Sequence, residues 1–233
     1  MKTLALGLCL AILATAAVAP LAQAKEPLNT LTAAEKARGW KLLFDGKDTR
    51  GWRDFKAAEA DPGWKVKDGI LFVDPKVAKD LITTDKYANF ELSFDWRIGK
   101  LGNSGVFYHV IEEGEFAYET GPEYQLLDNH RSEPPLEQAA GLFGLYPPTK
   151  DVTRPVGEFN HGRLVVDHGH VQHWLNGVKV AEYELGSADF KAKVAGTKFH
   201  RWPLFATGTT GHIGLQNHGD DVAFTNIKIR VLP

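Results

Sequence analysis

Cysteine is almost absent from this chain of 233 residues, since Cys9 is the only one. No disulfide can form within the chain, and a thiol nucleophile would have to come from the N-terminal segment. The sequence also lacks the Gly-x-Ser-x-Gly motif of serine hydrolases. Clusters of one charge sign are missing too, because 27 Lys and Arg residues are dispersed among 29 Asp and Glu residues. Nucleic acid and anionic membrane are therefore poor candidates for partners.

The first 24 residues have the pattern of a secretory signal peptide. Lys2 precedes an apolar run over residues 4–18, and Ala22 and Ala24 are small residues at the positions that a signal peptidase reads. The run has about fifteen residues, fewer than the roughly 20 of a spanning helix, so no membrane anchor is expected after cleavage. Cys9 lies inside the run and follows the bulky Leu8, which disfavours a lipoprotein. The pattern predicts a periplasmic or secreted protein whose mature chain begins at Lys25.

The mature chain is predicted to fold as one domain. Roughly 200 residues remain after cleavage, enough for a substantial core without disulfides. Residues 25–39 form an N-terminal segment with a short helix within 28–38, where Thr32 and Glu35 have the spacing of a capping box. Residues 40–233 form the domain itself. Neither a second domain nor an internal repeat is evident.

The pattern from residue 40 onward is typical of β-strands. Residues 89–98 alternate strictly between apolar and polar side chains, which predicts one face in a core and one in solvent. Residues 64–73 read as a hairpin around the turn pair Asp68-Gly69. The stretch 128–159 contains five prolines and is expected to be a functional or disordered loop. Further strands are predicted at 106–111, 123–127, 164–167, 171–175, 212–216 and 223–231. Many short strands with little helix indicate an all-β sandwich or jelly roll.

Polar side chains in three of the predicted strands could converge on one face. Carboxylates, imidazoles and amides on such a face could bind hydroxyls and move protons. The same alternation is also what the solvated face of any antiparallel sheet shows, and on the pattern alone that reading is favoured. The residues concerned are Glu123, Gln125 and Asp128, then His212, Gln216 and His218, and finally Asn103 and His109 after a Gly-Asn-Ser-Gly turn.

Two other chemistries have less support in the sequence. His168, His170 and His173 are close in sequence, but residues 167–170 read better as a hairpin tip than as part of a metal site. The Glu-x-Asp-x-Glu motif of jelly-roll glucanases is absent. Its absence weakens the case for a glycosidase with paired carboxylates on one strand.

Nine segments in register carry a resemblance to a known family. They are residues 40–52, 64–71, 81–92 together with 96–97, 102–107, 123–128, 157–160, 173–177, 214–219 and 224–227. Together they resemble the family once called domain of unknown function 1080 and now described as the 3-keto-disaccharide hydrolase domain, of the concanavalin A-like lectin/glucanase superfamily. The chain departs from the family pattern at Phe159, where Trp is usual, and at Asn89, where Asp is common.

The resemblance implies a concanavalin-like jelly-roll β-sandwich that acts on a carbohydrate, a 3-keto glycoside. A 3-keto group acidifies the C2 proton, so a base can form an enediolate that expels the C1 aglycone by β-elimination, and water can then add. We expect His218 or Glu123 to be the base, with assistance from Asp128. The expected substrate-binding residues are Arg97, Asn103, Gln125 and Gln216, which would bind hydroxyls or the enediolate, and His109 and Tyr146, which would line the cleft.

Several alternatives remain open at this point. A non-catalytic carbohydrate-binding module could use the same fold, because fold does not fix function. A conventional glycosidase could take its two carboxylates from different strands. No cofactor is expected, although a divalent metal that polarises the ketone would fit the chemistry. The sequence leaves the oligomeric state open.

Overall fold

The computed structural model describes residues 27–74, 76, 79–131 and 133–233. The predicted signal peptide and its cleavage site before Lys25 lie outside the described residues and stay predictions. Within the described part of the chain, no helix has the length and apolar character needed to cross a membrane.

The described residues form two antiparallel sheets that pack face to face. An eight-stranded sheet has the order β11-β10-β9-β6-β13-β4-β3, with β1 also paired to β13, and a five-stranded sheet has the order β2-β5-β12-β7-β8. The strands are β1 Trp40–Leu42, β2 Trp52–Asp54, β3 Trp64–Lys67, β4 Ile70–Val73, β5 Leu81–Thr83, β6 Phe90–Ile98, β7 Asn103–Val110, β8 Glu123–Leu127, β9 Asn160–Asp167, β10 His170–Leu175, β11 Val178–Glu184, β12 His212–Leu215 and β13 Val222–Val231. The helices are α1 Ala33–Ala37 and α2 Ala188–Ala195, with 3-10 turns at Ala117–Glu119, Asn129–Arg131, Pro135–Glu137 and Lys198–Arg201. The predicted all-β jelly-roll sandwich with a short N-terminal helix is confirmed.

Local sequence signals explain the first helix and the clearest hairpin. Thr32 Oγ1 accepts a hydrogen bond from the Glu35 main-chain N–H, and the Glu35 carboxylate accepts one from the Thr32 N–H, which completes the predicted capping box. Asp68 and Gly69 both have positive φ, 53° and 76°, between β3 and β4. That pair of conformations gives a tight turn whose twist matches the flanking strands.

The core lies between the two sheets and is rich in aromatic rings. Trp96 and Phe94 of the eight-stranded sheet are fully buried with Tyr108 and Tyr124 of the five-stranded sheet. Burial of each such side chain stabilises the fold by about 1.5–3 kcal/mol. The Tyr108 hydroxyl lies 2.5 Å from the hydroxyl of Tyr183, so a buried hydrogen bond joins the two sheets.

The histidines near residue 170 lie in a hairpin tip or pair with other protein groups. His168 has positive φ in the turn between β9 and β10, as expected for a hairpin tip. His173 is fully buried, and its ring nitrogens pair with the Ala140 carbonyl at 3.0 Å and the Tyr183 hydroxyl at 2.8 Å. Among the described residues, no group of three or more His, Cys, Asp and Glu side chains is arranged to hold a metal ion.

The polar face of β6 differs from the expectation of a solvated surface. Glu91 is only 7% exposed, and its carboxylate accepts hydrogen bonds from Arg163 of β9 and Arg230 of β13. The alternation along β6 was predicted correctly, but neighbouring strands cover its polar face with long charged side chains whose stems exclude water.

The stretch 128–159 packs against the five-stranded sheet. The Gln125 N–H donates to the Gly141 carbonyl at 3.1 Å, and the N–H groups of Ala140 and Phe143 donate to the carbonyls of Gln125 and Glu123 at 2.8 and 3.1 Å. These bonds satisfy the free edge of β8, which would otherwise offer unpaired main-chain groups. The stretch thereby forms one side of the candidate site.

Candidate active site on the five-stranded sheet

The outer face of the five-stranded sheet carries a cavity of about 570 Å³. Alternate residues of its strands, such as Val106, Leu126 and Leu215, point into the core, so their neighbours along each strand point outward. A separate apolar cluster that includes Ile82 and Phe107 continues this outward face.

Sheet register brings five of the nine predicted site residues together in this cavity. Gln125 of β8 is opposite Gly105 of β7, and the Gln216 N–H donates to the Gly105 carbonyl at 2.9 Å, so Gln125 and Gln216 share a row across the sheet. Glu123 lies one row away, opposite Phe107. The five predicted residues that line the cavity are Asn103, Glu123, Gln125, Gln216 and His218.

Glu123 is the most perturbed carboxyl group of the site. It is 8% exposed, and its side chain forms no hydrogen bond or ion pair with any described residue. Burial and, to a smaller extent, the negative charge of Asp80 raise the pKa of Glu123, the positive charge of Lys198 partly opposes them, and the resulting pKa is about 8. Glu123 therefore holds a proton at neutral pH and can act as an acid.

Gly105 makes room for the Glu123 carboxyl group. A Cβ atom at residue 105 would lie 2.1 Å from Glu123 Oε1 and 2.7 Å from its carboxyl carbon. Real Cβ atoms essentially never approach another atom so closely, so the carboxyl group of Glu123 would have to move if residue 105 had a side chain. The carboxyl group of Glu123 thus lies directly over the Gly105 backbone, where a side chain from β7 would otherwise project.

Three amide oxygens in the cavity are buried without a partner among the described residues. They are Asn103 Oδ1, Gln125 Oε1 and Gln216 Oε1. The Gln125 amide is fixed, since its Nε2 donates to the Glu137 carbonyl at 3.1 Å. Asn103 Nδ2 lies 3.4 Å from His218 Nε2. Buried acceptors left unpaired are costly, and in a cavity they are suited to accept hydrogen bonds from a ligand's hydroxyl groups.

Asp80 and Lys198 are two of the charged cavity residues that the sequence analysis missed. Asp80 directly precedes β5, and its Oδ1 accepts a hydrogen bond from the Asn217 N–H at 2.9 Å. Burial and the charge of Asp54 raise the pKa of Asp80, the hydrogen bond from the Asn217 N–H lowers it, and the resulting pKa is about 6. Lys198 begins a 3-10 turn, and its Nζ lies 4.5 Å from the centre of the Phe143 ring. Asp80 could have been found from its place just before a strand of the resembling segments, whereas no pattern marked Lys198.

Asp128 was predicted to assist catalysis, but it is absent from the cavity lining. Its Oδ2 accepts from the Leu101 N–H at 2.8 Å and its Oδ1 from the His130 N–H at 3.1 Å. The side chain therefore joins two main-chain turns. Its observed contacts are those of a structural cap.

Three other predicted binding residues also do not line the cavity. Arg97 belongs to β6 in the eight-stranded sheet, where its guanidinium lies 5.6 Å from the Phe159 ring. His109 is buried, and its Nε2 lies 2.7 Å from a main-chain carbonyl oxygen. The Tyr146 hydroxyl donates to Asp189 of α2 at 2.6 Å. The structure thus separates these three side chains from the cavity that holds Glu123.

Comparisons with known proteins agree with this architecture. A crystal structure from Parabacteroides distasonis, of a protein provisionally named a glycosyl hydrolase, matches with a TM-score of 0.82 and 36% identity over 88% of this chain and 100% of that one. A second such protein from the same species matches with a TM-score of 0.67 and 29% identity, over 83% and 99% of the two chains.

Sequence comparison gives the family. A protein of Bacteroides thetaiotaomicron named 3-keto-disaccharide hydrolase is 32% identical over 239 residues, which cover 88% of this chain and 82% of that protein. The family model of the 3-keto-alpha-glucoside-1,2-lyase-like domain matches residues 39–230, which include every strand that lines the cavity. This chain therefore belongs to the family of 3-keto-alpha-glucoside-1,2-lyase-like domains.

Proposed function

We propose that this protein cleaves the glycosidic bond of 3-keto glycosides in the cavity on its five-stranded sheet. The observation that carries the proposal is the neutral, unpaired carboxyl group of Glu123 beside three unpaired amide oxygens. Such a set can bind sugar hydroxyls and deliver a proton in one place. The names of the related proteins support a carbohydrate substrate and a hydrolytic outcome.

The chemistry begins at C2 of the sugar. The C3 carbonyl acidifies the C2–H bond, and transfer of that proton to a base leaves an enediolate. The enediolate electrons form the C1–C2 double bond while the C1–O bond breaks, and the leaving oxygen takes a proton from an acid. Addition of water across the double bond, OH at C1 and H at C2, completes a net hydrolysis. This route needs one base, one acid and stabilisation of the enediolate, without two carboxylates flanking C1.

The pKa values of Asp80 and Glu123, two of the carboxyl groups that line the cavity, divide these roles. Asp80, with a pKa of about 6, is ionised at neutral pH and is suited to take the C2 proton. Glu123, with a pKa of about 8, is protonated and is suited to give a proton to the leaving oxygen. Two carboxyl groups whose environments set their pKa values apart are a recurring basis for acid–base pairs. His218, which the sequence analysis considered as the base besides Glu123, also lines the cavity.

The remaining cavity residues suit binding and charge stabilisation. The amides of Gln125 and Gln216 share one row of the sheet, and their free oxygens can accept hydrogen bonds from ring hydroxyls. Lys198 contributes a positive charge close enough to Glu123 to lower its pKa. An enediolate that forms nearby would be stabilised by the same charge.

A direct test is incubation of the purified protein with the 3-keto and the unoxidised forms of one glucoside, with mass spectrometry of the products. We expect release of the aglycone from the 3-keto form alone. Glu123→Gln should lower the rate at least a hundredfold, since a positioned acid contributes about 10²–10⁴. Glu113→Gln, the same change at an exposed residue, should match the wild type.

Two other outcomes would replace the proposal. Aglycone release from an unoxidised nitrophenyl glucoside would identify a conventional glycosidase. Calorimetric binding of the sugar without product from either form would identify a non-catalytic binding module. In the proposed setting the enzyme acts in the periplasm or outside the cell, and mass spectrometry of the exported protein should give an N-terminus at Lys25.

A further inference from the structure

Two stacked aromatic rings, one of them exposed, line the cavity. Phe116 is 46% exposed although it is among the cavity-lining residues. Its ring is stacked on Tyr118, with centroids 5.3 Å apart and an interplanar angle of 6°. The ring of Trp202 lies edge-on against Tyr118 at 5.3 Å and supports it from behind. We call Phe116 and Tyr118 the aromatic platform.

The platform is held in place before any ligand binds. The Thr120 hydroxyl donates to the Ile111 carbonyl at 2.9 Å and accepts from its N–H at 3.2 Å, which closes the base of the segment. Arg53 of β2 donates to both oxygens of Glu112 at 2.6 and 2.7 Å, which fixes the start of the segment to the sheet. A fixed platform binds a ring without an ordering cost.

Along the chain, the platform comes before Glu123 and the amide of Gln125 comes after it. The platform segment leads through Gly121 directly into Glu123 at the start of β8. Gln125 follows one row further along the strand, and Asn103 is opposite Leu127 at its far end. If the amides bind the sugar hydroxyls, the group on the other side of Glu123 is the leaving group that Glu123 protonates.

We propose that the aromatic platform is the leaving-group subsite and that it takes a planar aromatic aglycone. The proposal rests on the proposed function for the identity of the sugar. The other rings on this side of the cavity, Phe143 and Phe199, are also apolar, whereas the unpaired amide acceptors lie towards the far end of β8. A sugar offers these rings only the C–H groups of one face, whereas an aryl ring offers a planar apolar face. An aryl ring can stack on Phe116 and remove its exposed face from water.

The test measures kcat/KM for phenyl and methyl 3-keto glucosides with four proteins. They are the wild type, Phe116→Ala, Phe116→Trp and the control Phe72→Ala. Phe72 is a partly exposed residue of β4 on the other sheet, so it matches the size of the change at a distant position. For each substrate the ratio of wild-type to variant kcat/KM cancels the intrinsic reactivity of the leaving group. Phe116→Ala should lower kcat/KM for the phenyl glucoside about tenfold and leave the methyl glucoside within about twofold, as the loss of one aromatic contact predicts. Phe116→Trp should retain the phenyl rate.

A second readout does not need turnover. Calorimetry with unoxidised phenyl and methyl glucosides should show tighter binding of the phenyl compound to the wild type, and Phe116→Ala should abolish the difference. An equal effect of Phe116→Ala on both substrates, or a phenyl preference that survives it, would overturn the subsite. If no 3-keto glucoside is turned over, the proposed function fails, and the calorimetric comparison still decides whether the platform binds an aromatic ring.

Discussion

The proton on Glu123 should make the stability of the folded protein depend on pH in a defined direction. In the unfolded chain this carboxyl group ionises near its ordinary pKa of 4.5, whereas burial holds the pKa at about 8 in the folded protein. Between these two pH values unfolding releases one proton, so the free energy of unfolding falls as the pH rises. The contribution of Glu123 is about 1.4 kcal/mol per pH unit, or of the order of 5 kcal/mol across the whole window.

Glu123→Gln isolates that contribution, because glutamine keeps the shape of the side chain and cannot ionise. The free energy of unfolding of the variant minus that of the wild type should rise with pH from about 4.5 to 8 and then level off. Urea unfolding followed by Trp fluorescence at half-unit steps of pH measures the difference, and the raised pKa of Asp80 affects both proteins alike. Glu113→Gln, the same change at an exposed residue, is the matched control. Parallel curves for the wild type and Glu123→Gln would refute the protonated carboxyl group.

Three further changes test the surroundings of Glu123. Lys198→Met removes the charge that lowers the pKa of Glu123, so the alkaline limb of the kcat/KM profile should move to higher pH, whereas Lys191→Met should not move it. Asp128→Asn should lower the free energy of unfolding by about 1–3 kcal/mol, since its oxygens accept main-chain N–H groups, while kcat of the folded variant stays near the wild-type value. Gly105→Ala should lower kcat about a hundredfold, because the new Cβ displaces the carboxyl group of Glu123 and a misplacement of about 1 Å has that effect.

Each of these expectations has an opposing result. A pH profile that stays in place after Lys198→Met would show that its charge does not reach Glu123 in the working enzyme. Loss of turnover in a folded Asp128→Asn protein would restore Asp128 to catalysis, as the sequence first suggested. An unchanged kcat in Gly105→Ala would mean that Glu123 works from a different position or has no part in the reaction.

The alternation of apolar and polar residues in the sequence predicted much of the fold and part of the site. Period-two alternation put Glu123 and Gln125 on one face, and the register with β7 and β12 then brought Gln216 beside them. The alternation no longer predicts the direction of a side chain where the register between paired strands shifts. A shift between His212 and Gly214 interrupts the pairing of β12 with β7, and His212 turns to the Thr83 carbonyl at 2.6 Å.

The predicted site residues that lie outside the cavity have polar side chains with main-chain or remote partners. Asp128 was expected to assist catalysis and His109 to line the cleft, but the side chains of both pair with main-chain groups. Arg97 lies on the other sheet, and sheet membership cannot be read from a strand's own residues. Lys198 reaches the cavity only because the chain after α2 packs beside Phe143, a tertiary contact without a local signal.

The position of the site follows from the same alternation that builds the core. Tyr124 and Leu126 are fully buried between the sheets, so Glu123 and Gln125 must project from the opposite face of β8. A slip of one residue would exchange the two pairs and bury the polar groups in the core, so the apolar pattern fixes the register of Glu123 and Gln125. The cavity then holds unpaired amides and a neutral carboxyl group that destabilise the free protein. A ligand that supplies hydroxyl donors pairs with these oxygens and so removes part of that cost. The increase in the free energy of unfolding that the ligand causes should therefore be lost in Gln125→Leu, because this variant no longer contains the unpaired oxygen.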